Sequence, residues 1–448
     1  MTWDDVIVAH IGGHVSLPKT EEAPMPMSPT PSRPARGRSA LVALVALVVG
    51  LGLMIPVALG GAAAPQAVTN YVQFVGGKAG KANPKLKPVV VGLVNLQGGQ
   101  VQVGPLWTPA VEVAVRLVND SLGGIGGHPL VLKKCFIRSA EEEGTRCGQQ
   151  MANDRRVSVV LWGGVVIGNQ SFYSALGGRK PVVGGVLVHP IDEQYRSGFG
   201  IFGSGTSVLS PYATFAKNTL KAKSAAVVYP QIPGIAENGV AIVNAMKKVG
   251  ISVKQVGYDP NTTDLVGPIT AAGGQSVDVF VLQDVASGCV NMAKALAQLG
   301  LNKKVLTNPL CLDPRVAQGL GGDYPKWTWA IASSLGFDTT DKGVPPFVKV
   351  YKKYKQAKLT ADPWTPVGFG QTLTLVRWLN AIGWNKITSA AIVKQAKAFR
   401  GPVPLGAPTV RCGKIPKLPA VCNDQTQFFE YLGKGKFKRV SSWVRPPR

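Results

Sequence analysis

The stretch LVNDSLGGIGGHPLVL, residues 117–132, sets four glycines around one isoleucine, directly before a histidine. A phosphate-binding glycine loop must follow a strand and open a helix, because the anion binds unpaired N–H groups at the helix start. Here apolar residues from Val111 to Val118 recur at helical spacing, and PLVLKKC downstream reads as a strand. We therefore predict a helix C-cap and return turn instead of a phosphate loop, with His128 as a turn residue.

The rest of the chain alternates short apolar runs with helical stripes. VVVGLV at 89–94 shows no polar alternation, as expected of a parallel strand buried on both faces. Apolar residues through 242–249 and 292–299 recur at helical spacing and predict helices between the strands. This βαβα order predicts an α/β fold built from doubly wound parallel sheets.

The N-terminal part of the chain has the features of an export or membrane segment. Residues 1–39 are rich in proline and serine and are predicted to be disordered, and 40–60 form a charge-free segment long enough to span a bilayer. Arginines at 33–38 place the start inside and the remainder outside. GGAAAPQA follows at the start of a linker over 61–87. A retained anchor is the preferred prediction, and secretion after signal cleavage remains the alternative.

The formal net charge of +25 is extreme, and it belongs to the exported part because the charges within 1–60 cancel. Such a field favours nucleic acid, anionic lipid or acidic polymers as partners. We exclude nucleic acid, because an exported protein meets little of it and aromatic residues, at 7%, form no stacking array. The lysines of PPFVKVYKKYKQAK lie outside an apolar helical stripe and are interpreted as a solvated face, with attraction to an anionic envelope surface as the alternative.

Six cysteines lie on the exported side of the chain, where disulfides persist. Six cysteines allow fifteen pairings, and their order along the chain favours near neighbours. No C-x-x-C is present, which argues against zinc clusters and thioredoxin-like chemistry, and no metal or cofactor is expected. The predicted disulfide pairs are Cys135 with Cys147, Cys289 with Cys311, and Cys412 with Cys422.

The stretch VNDSLGGIGGHPLVL resembles the N-x-x-GGI-x-G-x-P-L signature of type I periplasmic binding proteins, the Leu/Ile/Val-binding (branched-chain amino acid) substrate-binding family of ABC transporters. The likeness extends over roughly 88–444 and includes VVVGLVNLQGGQ, ALAQLGLNKKVLTN, VGFGQTLTLVRWLNAIG and GKGKFKRVSSW. It implies two doubly wound lobes joined by three crossovers that close on a small ligand. The expected N-terminal lobe comprises 88–205 and 334–402 with 311–333, and the expected second lobe comprises 206–310 and 403–448.

Ligands of open α/β sheets bind outside the carboxyl ends of the strands. The loops expected there are 97–107, 162–166, 185–189 and 310–313 in the N-terminal lobe, and 231–234 and 283–287 in the second lobe. The candidate ligand-binding residues are Gln100, Trp107, Trp162, Gly163, Gly164, Val165, Gly185, Val186, Gln231, Pro233, Gln283, Asp284, Leu310 and Asp313.

Different chemistry is expected from different members of this set. A tryptophan at a strand end offers a flat apolar wall and one N–H donor, although a core role is the alternative for Trp107 and Trp162. Gln283 offers an amide. Asp284 and Asp313 are candidates for a ligand cation, with an ordinary loop position as the alternative.

The chain departs from the family pattern where an amino acid would be held. The resemblance implies hydroxyl groups for the ligand carboxylate after the third and fourth strands, but those loops read WGGVVIGNQ and GGVLVHP. Leu310 stands near the expected acidic partner of the ammonium group, and Pro233 near the expected aromatic residue. Leaving either ligand charge unpaired in a closed cleft costs several kcal/mol. We therefore expect a largely apolar or aromatic ligand, with or without one anionic group, stacked on Trp107 or Trp162.

No catalytic arrangement was found in the sequence: G-x-S-x-G, H-E-x-x-H and Walker motifs are absent. Glu141–Glu143 is interpreted as a solvated helix start, with a cation site as the alternative. The leading hypothesis is an extracytoplasmic solute-binding protein, not an enzyme, with a small-molecule ligand, ABC permease subunits and the membrane as partners. The alternative is a ligand-sensing ectodomain of a membrane-bound regulator.

Overall fold

The computed structural model describes residues 67–99, 103–415 and 417–447. The predicted disordered segment, the predicted transmembrane or signal helix, and Gln100 lie outside these residues. Among the residues described, no helix has the length and apolar character needed to cross a bilayer.

The first sheet has five parallel strands in the order β2-β1-β3-β4-β5. β1 is buried along almost its whole length, as its unbroken apolar run predicts. The strands are β1 (Val89–Leu96), β2 (Leu130–Ile137), β3 (Val157–Trp162), β4 (Val182–Leu187) and β5 (Gly198–Ser204), and the helices between them are α2 (Trp107–Ser121), α3 (Glu141–Asn153), α4 (Asn169–Leu176) and α5 (Pro190–Gln194).

The second sheet has seven strands in the order β12-β11-β10-β9-β8-β6-β7. β6 to β10 pair in parallel, and β11 and β12 add two antiparallel strands. The strands are β6 (Ser224–Pro230), β7 (Ser252–Tyr258), β8 (Val279–Leu282), β9 (Lys304–Thr307), β10 (Thr328–Ile331), β11 (Gln427–Gly433) and β12 (Lys436–Arg439). The helices of this part are α6 (Gly205–Leu209), α7 (Pro211–Asn218), α8 (Ile235–Lys248), α9 (Val266–Ala271), α10 (Ala286–Gln298) and α11 (Pro314–Gly319), with a 3-10 turn at Pro309–Leu312.

The chain crosses between the two sheets three times: after β5, after β10, and before β11. After the second crossover it returns to the first lobe, where the hydroxyl of Tyr351 contacts the Ala110 carbonyl of α2. The α/β fold of two doubly wound lobes is confirmed. The helices of this return are α12 (Val344–Lys353), α13 (Thr365–Ile382) and α14 (Ser389–Ala398), with 3-10 turns at Ala357–Ala361 and Trp384–Lys386.

Two segments lie in a different lobe from the one expected. Residues 311–333, expected in the N-terminal lobe, contain β10, which pairs with β9 and β11 in the second sheet. Conversely, part of 403–448 packs on the first sheet, because the Ala420 carbonyl accepts from Gly200 N at 2.7 Å and Cys422 N donates to the Gly200 carbonyl at 3.1 Å. β5 is an edge strand with free backbone groups, and this segment satisfies them.

A short helix precedes the first sheet, in a region expected to be linker. α1 (Tyr71–Val75) is capped by the Asn70 side chain and buries Tyr71, Phe74 and Val75. The Tyr71 ring contacts Phe369 of α13 edge-on, with centroids 5.3 Å apart. Apolar burial therefore extends the folded region to the N-terminal side of residue 88.

The glycine turn after α2 has the predicted role. Gly123, Gly124, Gly126 and Gly127 all have positive φ, between 59° and 93°, which L side chains rarely adopt. A Cβ on Gly124 would lie 2.2 Å from the His128 carbonyl oxygen, so the turn also needs the missing side chain. His128 stacks on Trp384 and its Nδ1 lies 2.7 Å from the Lys87 carbonyl oxygen, as suits a turn residue.

The three predicted disulfide pairs are confirmed: Cys135–Cys147, Cys289–Cys311 and Cys412–Cys422. The predicted helix start at Glu141 is also present. Glu143 accepts the backbone N–H groups of residues 138–140, and Glu141 accepts those of Gly168 and Ser171. Both carboxylates therefore stabilise loop and helix ends.

Candidate functional site

A cavity of about 50 Å³ lies where the two lobes and the crossovers meet. It opens at the carboxyl ends of strands from both sheets, which is where open α/β sheets bind ligands. The lining residues are Val103, Val186 and Val188 from the first lobe; Ile235, Asn238, Asn308, Pro309 and Leu310 from the second; Gly205, Val208, Leu209, Ile331, Ala332 and Ser333 from or beside the crossovers; and Pro363, Trp364 and Val367 at the start of α13.

None of the described residues that line the cavity carries a charge, and only three are polar. Asn308 is already occupied, since its amide donates to the Asp284 carbonyl at 3.1 Å and its oxygen accepts from Leu310 N at 3.1 Å. Ser333 makes one long contact with the Pro363 carbonyl, at 3.5 Å. The cavity therefore presents an apolar surface with few hydrogen-bonding groups.

Asn238 is the polar side chain that remains available. It is only 5% exposed, and among the described residues its amide group has no hydrogen-bond partner. It lies against Gly205, where a Cβ would come within 2.4 Å of both amide heavy atoms. Because the Asn238 side chain lines the cavity, its amide is available to bond to a ligand group there.

The aromatic wall of the cavity is Trp364, which the sequence analysis did not identify. Its ring stacks on Trp107 with centroids 5.5 Å apart and 18° between the planes. Asp362 fixes the backbone here, because its Oδ1 accepts from Trp364 N at 2.8 Å and from Thr365 N at 3.2 Å. Burial raises the pKa of Asp362 to about 7.

Trp107 lies one layer behind this wall and does not line the cavity. It is fully buried, and its Nε1 donates to the Gln371 side chain at 2.8 Å. Gln371 in turn donates to the carbonyls of Trp162 at 3.1 Å and Val183 at 2.6 Å. Trp107 therefore supports Trp364 from the core.

The loop after β3 positions the cavity wall without forming it. Trp162 is fully buried against Phe172, with ring centroids 4.4 Å apart. A Cβ on Gly163 would lie 2.3 Å from the Asn95 side-chain oxygen, and one on Gly164 would lie 2.3 Å from the Val103 carbonyl. These glycines, together with the buried Val165, let the chain carrying Val103 approach closely.

The carboxyl end of β4 and the loop that follows it contribute lining residues directly. Val186, a predicted candidate, lines the cavity, and so does Val188, which belongs to the predicted loop 185–189 but was not an individual candidate. Gly185 does not line it, but a Cβ there would lie 2.3 Å from Val367 and 2.4 Å from the Trp107 ring. Glycine is therefore required for the wall to pack against β4.

Of the predicted candidates discussed next, one lines the cavity and the others do not. Leu310 lines the cavity, but its loop follows β9 and belongs to the second lobe, not to the N-terminal lobe as expected. Gln231 and Pro233 are exposed and do not line it. Gln283 is buried and donates to the Leu282 carbonyl at 3.1 Å. Asp313 caps α11 and pairs with the Arg315 guanidinium at 2.7 Å.

Asp284 is 2% exposed and lies outside the cavity lining. The Tyr258 hydroxyl donates to its carboxyl group, and Val285 N donates to its Oδ1 at 2.7 Å. Burial raises the pKa of Asp284 to about 7 from its ordinary 3.8. Asp284 therefore stabilises the second lobe from within and does not face a ligand ammonium group in the cavity.

The raised pKa of Asp284 predicts a pH dependence of stability. Between about pH 4 and 7 the folded chain keeps this proton and the unfolded chain has lost it, so the free energy of unfolding falls as pH rises. Asp284→Asn should reduce this fall by roughly 3 kcal/mol, because each pKa unit is worth about 1.4 kcal/mol. Urea unfolding at pH 4.5 and 7.5 measures it.

Asp278→Asn is the control with the opposite sign. The backbone N–H groups of Lys223 and Ser224 lower the pKa of Asp278, so its contribution is present at neutral pH and lost as pH falls. This variant should lose stability at pH 7.5. An Asp284→Asn variant with the same pH profile as the wild type would contradict the assignment of Asp284 as a buried, proton-holding carboxyl group.

The comparison with known families and structures agrees with this geometry. A family model described as periplasmic binding protein matches residues 88–414. A search of curated proteins found no match.

Solved structures share the fold at low sequence identity. A leucine-binding protein from Thermotoga maritima has a TM-score of 0.64 and 14% identity, over 80% of this chain and 99% of its own. A fatty acid ABC transporter substrate-binding protein from Thermomonospora curvata has a TM-score of 0.63 and 14% identity, over 83% and 95%. An ABC transporter solute-binding protein from R. palustris, in complex with benzoate, has a TM-score of 0.62 and 13% identity, over 80% and 97%.

These relatives are substrate-binding transport proteins and not enzymes. The family model covers well over half of the chain, and the two lobes, three crossovers and interlobe cavity are those of the type I fold. The chain belongs to the periplasmic binding protein family.

Proposed function

We propose that the protein captures a small, largely apolar ligand between its two lobes and delivers it to an ABC permease. Family membership implies an extracytoplasmic location. The observation that carries the ligand class is the lining of the cavity, in which the described side chains are uncharged. Transfer of a ligand to a permease is the role expected of a substrate-binding protein of this family.

A free amino acid fits this lining poorly. Its ammonium and carboxylate groups would both lose water on closure, and an unpaired buried charge costs several kcal/mol. Leu310 stands in the cavity, whereas Asp284 is already bonded to Tyr258 and Asp313 to Arg315. Backbone N–H groups remain as partners for at most a carboxylate. The lining therefore favours a ligand with one polar end.

The solved relatives support this range of ligands. Proteins with the same fold are described as binding leucine, fatty acid or benzoate, so the fold accommodates both zwitterionic and largely apolar molecules. Trp364 provides an aromatic surface for an aliphatic chain or ring, and Asn238 provides an uncharged hydrogen-bonding group. We assign the apolar part of the ligand to Trp364 and its polar end to Asn238.

The small cavity implies that the lobes separate when the ligand enters. A cavity of about 50 Å³ is smaller than the roughly 150 Å³ apolar cavity that accepts benzene in another protein. The lining comes from both lobes and from segments at the crossovers, so a rotation about the crossovers would enlarge it. We propose that the structure represents the closed arrangement.

Titration with matched ligands tests the ligand class. Leucine, isoleucine and valine should not bind, whereas benzamide and hexanamide, uncharged molecules with one polar end, should raise the melting temperature. Trp364→Ala should weaken binding about tenfold, because an aromatic contact of this kind contributes on the order of 1 kcal/mol or more. Calorimetry measures the affinity.

Trp384→Ala is the matched control, because Trp384 is 45% exposed and stacks on His128 away from the cavity. It should bind as the wild type does. Micromolar binding of leucine, isoleucine or valine that is abolished by Asp284→Ala or Asp313→Ala would contradict the apolar-ligand proposal and favour branched-chain amino acid transport.

We also propose that the charge-free segment at 40–60 remains as a membrane anchor. Cell fractionation followed by intact-mass measurement should find the full-length chain in the membrane. A mature chain that begins near Ala64 and is recovered from the soluble or secreted fraction would show that the segment is a cleaved signal.

A further inference from the structure

A groove of about 780 Å³ on the first lobe collects positive charge. Its lining includes Arg196, Lys397, Arg400, Lys414 and Lys417, and no carboxylate is found among the described residues that form it. Five of the 49 lysines and arginines of the chain therefore meet at one concave site. A concave site lined by one sign of charge raises the local concentration of counter-ions.

Three separate segments bring these five residues together. Arg196 precedes β5, Lys397 and Arg400 lie at the end of α14, and Lys414 and Lys417 lie in the loop closed by the Cys412–Cys422 disulfide. The Gln194 amide donates to the Lys417 carbonyl at 3.1 Å. Arg400 donates to the carbonyls of Lys397 at 2.8 Å and Phe399 at 2.6 Å. The first contact joins α5 to the disulfide loop, and the other two set the position of the Arg400 guanidinium at the end of α14.

The positive charges of the groove are not neutralised from within the chain. None of the five side chains forms an ion pair with the residues that the structure describes. The carboxyl groups of Asp192 and Glu193, on the neighbouring helix α5, are buried, and burial raises the pKa of both. Asp424 lines an adjoining pocket together with Lys414, but its carboxylate is paired with the Arg445 guanidinium at 3.1 Å. Glu193 is also bonded by the Thr206 hydroxyl. Mutual repulsion of the five cations therefore remains, and a bound anion would relieve it.

The donors of the groove suit phosphate. Guanidinium and ammonium groups bind phosphate through charge-assisted hydrogen bonds, and each phosphate offers up to two charges and three acceptor oxygens. Within the described part of the chain, the backbone N–H groups of Gly413 and Lys414 have no hydrogen-bond partner and add two neutral donors. A groove of this size with five cations exceeds the needs of a single phosphate group.

We propose that the groove binds a multiply charged, phosphate-bearing anion, supplied either by a soluble phosphate chain or by the headgroups of an anionic phospholipid. This site is separate from the interlobe cavity, with which it shares no lining residue. The proposal does not depend on the identity of the transported ligand.

The test uses the full chain in neutral detergent and two probes, inorganic tripolyphosphate and mixed micelles that contain phosphatidylglycerol. The wild type should bind at least one probe. Lys414→Gln/Lys417→Gln should weaken that binding at least about tenfold, since each basic residue near an anionic surface contributes on the order of 1 kcal/mol. Binding of tripolyphosphate identifies a soluble anion as sufficient, and binding only of the micelles identifies the lipid headgroup.

Lys349→Gln/Lys352→Gln is the control, because it removes the same charge from exposed lysines on α12 that form no ion pair with described residues. It should bind as the wild type does. Failure of both probes to bind, or an equal loss in the control, would overturn the proposal. Equally tight, groove-dependent binding of a polyglutamate peptide would also overturn it, in favour of an acidic protein partner.

Discussion

The Gln371 side chain is the point on which the arrangement of the cleft depends. Its oxygen accepts from Trp107, and its amide donates to the carbonyls of Trp162, the last residue of β3, and Val183, near the start of β4. The amide is fully buried and satisfied at both ends, so α13, which carries Gln371, is fixed against the first sheet. Trp107 then holds Trp364, which forms the aromatic wall of the cavity.

Most polar groups at the cleft already form hydrogen bonds within the protein and are not available to a ligand. The carboxyl groups near it hold helix starts or loops, as Asp362 and Asp313 do, or accept from a tyrosine, as Asp284 does. What remains for a ligand is apolar surface and the amide of Asn238. Because binding specificity comes from the groups left unpaired, this distribution argues for a ligand with little charge.

The sequence was sufficient for the architecture and less so for the assignment of strands to lobes. Apolar runs, helical stripes and the glycine turn identified the α/β class, and cysteine order identified the disulfides. The segment 311–333 was placed in the wrong lobe because parallel strands buried on both faces look alike in either sheet. Which sheet β10 joins is decided by its pairing with β9, which no local pattern encodes.

Long-range packing, which local sequence patterns do not encode, also explains why only part of the site was predicted. Val186 lies at the carboxyl end of β4 and Leu310 shortly after β9, and both line the cavity, as expected of residues at the carboxyl ends of parallel strands. Trp364 and Asn238 lie at the start of, or within, helices, and they reach the cavity only because the lobes bring those helices together. The motif DPWTP at 362–366 places an aspartate and a tryptophan directly before a helix that begins with proline. This motif is the sequence feature that could have identified Trp364 as a cavity residue.

We propose that the cleft selects a ligand that does not carry both a positive and a negative charge. Mass spectrometry of the molecule that co-purifies with the full chain under native conditions, and is released on unfolding, tests this most directly. We expect a small, largely apolar molecule that carries at most one charge. Recovery of leucine, isoleucine or valine in stoichiometric amount would contradict it.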